Sequence, residues 1–404
     1  MAGAASEQTI ADPAASSATF AKRARKIARL VGEDDFTAAH CPILISVASE
    51  LAREVVVIAP AAVCQDLERL GRRMVVFDPR ATLTNPARDA VTAWKLARIL
   101  EAENADAVHA VGVRPAVLCG LAFRLVSGSR VLVHLPDIEA LAPAGALPRL
   151  YNISPARTIG ALLRSPSSFL LVECAAGLAE LRAKGIDPGA RVSVINGPGV
   201  DPDAYPLTPP AQGDVPLAAC VAPMVASSGI DVLVRAFERA WARGVRMELE
   251  LAGERTDRAG ANAAEEMARW SLHPGVQCTA PPADVRELWR RAEICVLPAV
   301  RRQTLARAVL QAAASGRALI VTEFAGGGSF VRDGVEGLVV PPGDVAALGE
   351  ALERLARDPE LRQRLGHAAR LRVLQGFTEA HVRETLRGAY LSLLDASGAE
   401  QHAH

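Results

Sequence analysis

The segment that most restricts the fold of this chain is 294–344, where short apolar runs alternate with helical periodicity. An apolar run at 294–297 is followed by a loop, a helical pattern and a second apolar run at 318–321. A glycine-rich turn comes next, and a third apolar run lies at 337–340. Continuously apolar strands separated by helices are typical of a parallel sheet with both faces covered. The segment therefore predicts one nucleotide-binding half of an open α/β sheet.

The same alternation runs through the rest of the chain and falls into two series. A length of 404 residues also exceeds what one hydrophobic core usually serves. Residues 201–214 separate the series and contain four prolines, which indicates a linker. The predicted organisation is a disordered leader at 1–24, an N-terminal Rossmann-like domain at 25–200, the linker at 201–214, a C-terminal Rossmann-like domain at 215–378, a terminal helix at 379–395 and a flexible tail at 396–404.

Composition excludes several classes of function. The chain has 45 Lys and Arg residues against 45 Asp and Glu residues, and 4% of its residues are aromatic. Nucleic-acid-binding proteins usually carry a basic excess and aromatic stacking platforms, so this class is not expected. The seven cysteines form no C-x-x-C pair, which indicates reduced thiols in a cytoplasmic protein and no metal site. No apolar run reaches the length of a membrane-spanning helix.

The turn after the first predicted strand also excludes a cofactor class. It reads LVGEDDF, without the G-x-G-x-x-G pattern that dinucleotide-binding turns need for close approach of the backbone to a pyrophosphate. A nicotinamide or flavin enzyme is therefore not expected, and we expect no bound cofactor.

Several segments occur in the order and with the gaps of a known family. They are VINGPGVDPDAYP at 194–206, GIDVLVRAFERA at 229–240, ADVRELWRRAEICVLP at 283–298, VRDGVEGLVVPPGDVAALGEAL at 331–352 and LARDPELRQRLGHAAR at 355–370. With them the C-terminal half resembles family-4 glycosyltransferases of the GT-B fold, in particular the bacterial exopolysaccharide and capsule type. FTAAHCPI at 36–43 and the segment 105–125 resemble the same family more weakly.

This resemblance implies a fold and an activity. The fold would be two doubly wound, Rossmann-like parallel-sheet domains that face a cleft. The protein would be a retaining transferase that takes a sugar from a nucleotide-diphosphate sugar, without a metal, and passes it to a glycan or lipid-linked acceptor.

The charged residues of the family's donor site are replaced in this chain. The family's Arg after the first strand of the C-terminal domain falls on Pro223, and its Lys falls on Ser228. Its two Glu positions fall on Gln303 and Gln311, and a further Glu falls on Ser329. Gln keeps a carbonyl acceptor but carries no charge. The two glutamines either still line the donor pocket or are polar residues at a helix start and on a helix face.

Two further features of this region are predicted to contact the donor. Arg302, in a loop with other arginines, would supply positive charge, unless this loop is a basic solvated surface. The glycine run Gly326, Gly327 and Gly328, followed by Ser329, would let the backbone approach a phosphate. A flexible turn is the alternative for the glycine run.

Candidate residues of the N-terminal half follow predicted strands. His40 lies in the first such loop and His109 ends a strand, and the resemblance assigns both to the acceptor side. A local structural role is the alternative for His40. His134 and Asp137 end the next strand, in VHLPDIE, and are the candidate catalytic residues. Asp137 would orient a sugar hydroxyl, and its alternative role is that of a turn or helix cap.

Three functions remain open from the sequence. The first is an active glycosyltransferase with an altered donor site. The second is an inactive relative that serves as a binding or scaffolding subunit beside a partner glycosyltransferase. The third and most distant is an epimerase or phosphorylase on the same fold. The basic and apolar segment 20–30 would provide peripheral contact with the inner face of the membrane, or else lead into the sheet.

Overall fold

The computed structural model describes residues 24–32, 41–61, 63–64, 72–78, 85–123, 130–136, 138, 141, 154–209, 215–225, 228–253, 263–280, 284–301, 305–323 and 330–395. The predicted tail at 396–404 and all of the predicted leader except Ala24 lie outside these residues. The sequence also predicts a helix at 61–72, most of which lies outside them.

The first domain contains a parallel sheet of seven strands with the order β3-β2-β1-β4-β5-β6-β7. Its strands are β1 (Ala24–Val31), β2 (Ala52–Ala59), β3 (Arg73–Val76), β4 (Ala107–Val111), β5 (Arg130–Leu135), β6 (Ser168–Val172) and β7 (Val192–Val194). Its described helices are α1 (Cys41–Leu51), α2 (Pro86–Glu103), α3 (Val113–Ala122), α4 (Pro155–Leu163) and α5 (Ala175–Ala183). Because both faces of the inner strands are covered, most residues of these strands are buried.

Local sequence signals set the ends of the helices. The Asn85 side chain accepts a hydrogen bond from the amide of Arg88, and Pro86 follows at the first helical position of α2. Asn104 ends this helix in the left-handed conformation, with φ of 47°. These are ordinary start and stop signals of a helix. The helix that the sequence predicts at 87–103 matches α2 to within one residue.

The second domain repeats the architecture with six parallel strands in the order β10-β9-β8-β11-β12-β13. The strands are β8 (Leu217–Val221), β9 (Glu248–Ala252), β10 (Val276–Thr279), β11 (Ile294–Leu297), β12 (Ala318–Thr322) and β13 (Gly337–Val340). The helices are α6 (Ile230–Ala242), α7 (Ala263–Trp270), α8 (Val285–Arg291), α9 (Arg307–Ala314), α10 (Val345–Arg357), α11 (Pro359–Gly376) and α12 (Glu379–Asp395).

In both sheets the strand order reverses once, between β1 and β4 in the first and between β8 and β11 in the second. Adjacent loops diverge at such a switch point and leave a crevice at the carboxyl ends of the strands, where ligands bind in open α/β sheets. The loops after these four strands are therefore the expected ligand-binding positions.

The chain crosses between the two domains twice. Val200 and Thr378 pair as a parallel bridge, in which the Val200 amide donates to Phe377 O and the Glu379 amide donates to Val200 O. The last helix, α12, then packs on α1 and on strands β5, β6 and β7 of the first sheet. The final segment of the sequence thus completes the core of the N-terminal domain.

Candidate active site

Hydrogen bonds between its own residues stabilise the loop between β8 and α6. The Ser228 hydroxyl donates to the Pro223 carbonyl at 2.7 Å, and the Ser228 amide donates to Val225 O at 3.0 Å. Ser228 is buried. The two positions at which the resemblance expects cations are therefore joined to each other, and their polar atoms stabilise the loop.

Gly229 follows directly and begins α6. Its φ of 71° lies in the left-handed region, and an ideal Cβ at this position would lie 2.0 Å from the Pro298 carbonyl oxygen. Glycine is the residue that reaches this conformation without a steric penalty. The loop after β8 can therefore lie directly against the loop after β11.

The start of α6 has no side-chain cap. The first amide groups of any helix lack intrahelical partners, and the helix dipole makes its N-terminus favourable for anions. In this domain that end lies at the carboxyl edge of the sheet, at the switch point between β8 and β11. The position is suited to an anionic group such as a phosphate.

Gln311 on α9 contacts the linker. It is 9% exposed, and its Nε2 donates to the Tyr205 hydroxyl at 2.7 Å. Arg370 donates to the carbonyls of Tyr205 and Ala314, and Arg317 donates to the Thr208 hydroxyl. These hydrogen bonds hold the linker segment 205–208 against the second domain, and the amide nitrogen of Gln311 takes part in one of them.

Several sequence-predicted site residues lie outside the described residues. They are His40, Asp137, Arg302, Gln303, Gly326, Gly327, Gly328 and Ser329. Their roles remain predictions.

His109 and His134 lie side by side within the first domain, and both are fully buried. Their rings stack with centroids 5.7 Å apart. The His109 Nδ1 atom is hydrogen-bonded to the Tyr390 hydroxyl of α12 at 2.8 Å, and His134 Nε2 lies 3.0 Å from Glu173 Oε1. The two histidines thus connect the last helix of the chain with the end of β6.

Arg29, His109, His134 and Glu173 form what we call the buried polar row. Arg29 pairs with His109 in the register of β1 and β4, and Val111 pairs with His134 in that of β4 and β5. Period-2 alternation places these side chains on one face of the sheet, the face that α1 and α12 cover. From β1 and β4 to β5 and then to the end of β6, each successive member of the row lies nearer to the carboxyl end of its strand.

Burial dominates the electrostatics of this row. It lowers the pKa of His109 well below the ordinary value, and the nearby charge of Arg29 lowers it further. Burial likewise raises the pKa of Tyr390. His109 is therefore neutral and Tyr390 protonated at neutral pH, which suits a structural hydrogen bond. The described residues provide no partner for His109 Nε2 or for the Arg29 Nε and Nη1 atoms.

Among the parts of the chain that the structure describes, no group of three or more His, Cys, Asp or Glu side chains is arranged to hold a metal ion. Within the same residues, no helix is long and apolar enough to cross a membrane.

The comparisons with known proteins identify the second domain. The family model for glycosyl transferases group 1 matches residues 215–358, which include β8, the Ser228 loop and α9. The C-terminal domain is a glycosyl transferases group 1 domain. The resemblance to family-4 glycosyltransferases of the GT-B fold is thereby confirmed.

Two curated proteins similar to this chain are named as glycosyltransferases, and one of them is named for capsular polysaccharide biosynthesis. The putative glycosyltransferase EpsD of Bacillus subtilis is 31% identical over 119 residues, which are 30% of this chain and 31% of that protein. The capsular polysaccharide biosynthesis glycosyltransferase CapM of Staphylococcus aureus is 25% identical over 174 residues, 43% of this chain and 45% of that protein. The chain spans less than half the length of these two relatives.

A solved structure agrees over both domains. Alr3699/HepE of Anabaena, in complex with UDP, superposes with a TM-score of 0.73 at 17% identity and covers 91% of this chain and 100% of that one. The predicted fold, two Rossmann-like parallel-sheet domains in the GT-B arrangement, is confirmed.

Sequence reasoning missed three residues, Glu173, Tyr390 and Tyr205. Glu173 has a sequence signal, because a carboxylate that directly follows the apolar strand SFLLV stands at the carboxyl end of a buried strand. Tyr390 lies on the apolar face of a terminal helix and has no local signal for contact with His109, 281 residues away. Tyr205 lies in a proline-rich segment that looks like solvated linker.

Replacing His109 with Gln is expected to remove part of the pH dependence of stability. In the unfolded chain a histidine titrates near pH 6.5, while folded His109 stays neutral to much lower pH. The unfolded state thus binds an extra proton below about pH 6.5. For each unit that the pH falls below this value, this group lowers the unfolding free energy of the wild type by about 1.4 kcal/mol. Urea unfolding of the wild type and His109→Gln at several pH values measures this.

The difference in unfolding free energy between the two proteins should change in favour of His109→Gln as the pH falls below about 6.5. A difference that stays constant from neutral to mildly acidic pH would contradict a neutral buried His109.

Proposed function

We propose that this protein transfers a sugar, with retention of configuration, from a nucleotide-diphosphate sugar to a glycan or lipid-linked acceptor in polysaccharide biosynthesis. The observation that carries the proposal is the group 1 domain, with the uncapped start of α6 at the switch point of its sheet. Relatives named for capsular polysaccharide biosynthesis and a structural neighbour that contains UDP support the substrate class.

In this proposal the diphosphate of the donor binds at the carboxyl edge of the second sheet. The first amides of α6 would donate to it, because Pro223 and Ser228 offer no cation there. Arg301 lies exposed after β11, and Arg302 follows it, so this loop would supply positive charge. The glycine run 326–328 would bring further backbone amides, as the resemblance implies. Donor-site charge would thus come from backbone dipoles and one arginine loop, and the reaction would need no metal.

A binding or scaffolding subunit without turnover is the second candidate. The observation behind it is the Ser228–Pro223 hydrogen bond, which occupies the polar atoms at both positions where the family places cations. Cations that stabilise a leaving group are a large electrostatic contribution to catalysis, and neutral groups replace them poorly. Such a subunit would bind the nucleotide sugar and associate with a partner glycosyltransferase.

Replacing Gln303 or Gln311 with Ala is expected to weaken binding of a nucleotide-diphosphate sugar about tenfold. Each would remove one hydrogen-bonding group from the proposed donor pocket, which contributes about 1–1.5 kcal/mol. Isothermal titration with UDP, GDP and their common sugar conjugates measures the binding, and Gln277→Ala, at an exposed position of β10, is the matched control.

Binding followed by sugar transfer in an acceptor screen would support the enzyme. Binding without transfer, together with capture of an active transferase, would support the scaffolding subunit. Absence of heat with every nucleotide and conjugate would overturn the donor site itself. We place the protein in the cytoplasm, at the inner face of the membrane where lipid-linked acceptors reside.

A further inference from the structure

The outward face of α2 carries two large apolar side chains, where a surface helix usually has polar ones. Its inward residues Ala93, Leu96 and Leu100 are buried in the core of the first domain. On the opposite side Val91 is 53% exposed and Trp94 is 56% exposed. Of the four tryptophans in the chain, the other three are half-buried or buried. An exposed tryptophan beside an exposed valine indicates a surface that another phase or molecule covers.

The same face is basic. Arg88, Lys95 and Arg98 are exposed beside Val91 and Trp94. Glu101 pairs with Arg98 at 2.8 Å, and none of the described acidic side chains pairs with Arg88 or Lys95. The face therefore combines an apolar centre with two uncompensated positive charges.

The position of α2 relates this face to the site. All strands of the sheet are parallel, and α2 follows β3, so it begins at the carboxyl edge of the sheet and runs back to the amino edge. The Lys26 Nζ–Glu103 Oε2 ion pair, at 2.9 Å, confirms that the end of α2 lies at the start of β1. The apolar half of the face, with Val91 and Trp94, is thus the half nearer to the ligand-binding edge.

The sequence suggested the segment 20–30 as a membrane contact, but from Ala24 onward this segment belongs to the sheet. Residues 24–31 form β1 in the centre of the sheet, where Ile27 and Leu30 are fully buried. Lys26 is held by Glu54 and Glu103, and Arg29 belongs to the buried polar row. Ile27, Arg29 and Leu30 are therefore not available to a membrane surface while the domain is folded. Arg25 is exposed and pairs with Asp106.

We propose that the outward face of α2, formed by Arg88, Val91, Trp94, Lys95 and Arg98, docks the protein on an anionic membrane surface. Tryptophan prefers the headgroup level of a bilayer, because its ring is apolar and its N–H is polar. Lysine and arginine beside it bind lipid phosphates, and their aliphatic stems lie along the apolar boundary. Docking there brings the ligand-binding edge of the N-terminal domain beside the bilayer.

The inference rests on the proposed function for the acceptor, which docking would present as a lipid-linked molecule. The surface itself depends only on α2. Vesicle binding and nucleotide binding are separate measurements, so the failure of one is distinguishable from the failure of the other.

The test is cosedimentation of the full chain with vesicles of phosphatidylcholine alone and of phosphatidylcholine with phosphatidylglycerol. Binding is expected only to the anionic vesicles and is expected to fall as salt rises. Lys95→Ala should weaken it about fivefold, as expected for one cation near an anionic surface. Trp94→Ala should weaken it about tenfold or more through lost apolar burial.

Two variants of the second domain are matched controls. Leu272→Ala removes an exposed apolar side chain and Arg354→Ala an exposed cation, and neither should change vesicle binding. A spectroscopic signature accompanies the binding assay. Brominated lipids should quench the tryptophan fluorescence of the wild type, and Trp94→Phe should abolish most of the quenching while the protein still binds.

Three results would overturn the proposal. The first is absence of binding to anionic vesicles at low salt. The second is binding that Trp94→Ala and Lys95→Ala leave unchanged. The third is light scattering that shows self-association, or a stable complex with a protein partner, lost in Trp94→Ala while vesicles remain unbound. The substituted side chains are exposed, so thermal melts should match the wild type.

Discussion

Replacing Tyr390 with Ala is expected to lower the free energy of unfolding by about 3–5 kcal/mol, the range for a buried aromatic side chain. Tyr390 is fully buried between α12 and the first sheet, in a cluster with Leu132, Leu171 and Leu386. The variant leaves a cavity there and deprives His109 of its partner. Urea unfolding followed by circular dichroism measures the loss.

Tyr390→Phe separates packing from the hydrogen bond. It keeps the ring and removes the hydroxyl, so a loss of about 1–3 kcal/mol is expected from the unsatisfied His109 nitrogen. Ser392→Ala, on the exposed side of the same helix, is the control and should change stability little. Equal stability of Tyr390→Ala and the wild type would show that α12 is not docked on the first domain.

Replacing Gly229 with Ala is expected to destabilise the second domain by about 2–5 kcal/mol. A left-handed conformation costs a non-glycine residue about 1–2 kcal/mol, and forcing an extra methyl into a packed site costs about 1–3 kcal/mol. Both apply here, because the Cβ would meet the Pro298 carbonyl. Thermal and urea unfolding measure the effect. If the proposed donor site is correct, nucleotide binding falls as well, since the displaced loop begins α6.

Gly334→Ala is the matched control for the conformational cost alone. Gly334 has a φ of 72°, close to that of Gly229, but a Cβ there would meet no atom within 4 Å. It should cost about 1–2 kcal/mol. A loss in Gly229→Ala no larger than in Gly334→Ala would contradict the close approach of the two loops.

The fold was largely predictable because its signals are local. Apolar runs of four to six residues, helical periods and the proline-rich stretch each act over a few residues, and the strand predicted at 294–297 coincides with β11. The order of the family segments predicted the GT-B fold. The helix α4 (Pro155–Leu163) was missed, although Ser154 and Pro155 provide a cap and an N-terminal proline as Asn85 and Pro86 do in α2.

The candidate site was predictable only in part. The sequence predicted that Ser228 and Gln311 replace charged residues of the family, and both lie within the residues that match the group 1 model. It did not predict what the substituted side chains bond to. Ser228 bonds to Pro223 and Gln311 to Tyr205, and both contacts arise because loops from different parts of the chain fold against each other.

The sequence by itself determined two parallel α/β domains and the resemblance of the second to glycosyltransferases, because both depend on residue type and short-range order. Only the tertiary structure decided that His109 and His134 lie buried against Tyr390 and Glu173, and that Val91 and Trp94 remain exposed. Burial is a property of the whole fold. A histidine at the end of a strand reads the same in the sequence whether solvent or the last helix of the chain covers it, so its neighbours emerge only when α12 returns to the first sheet.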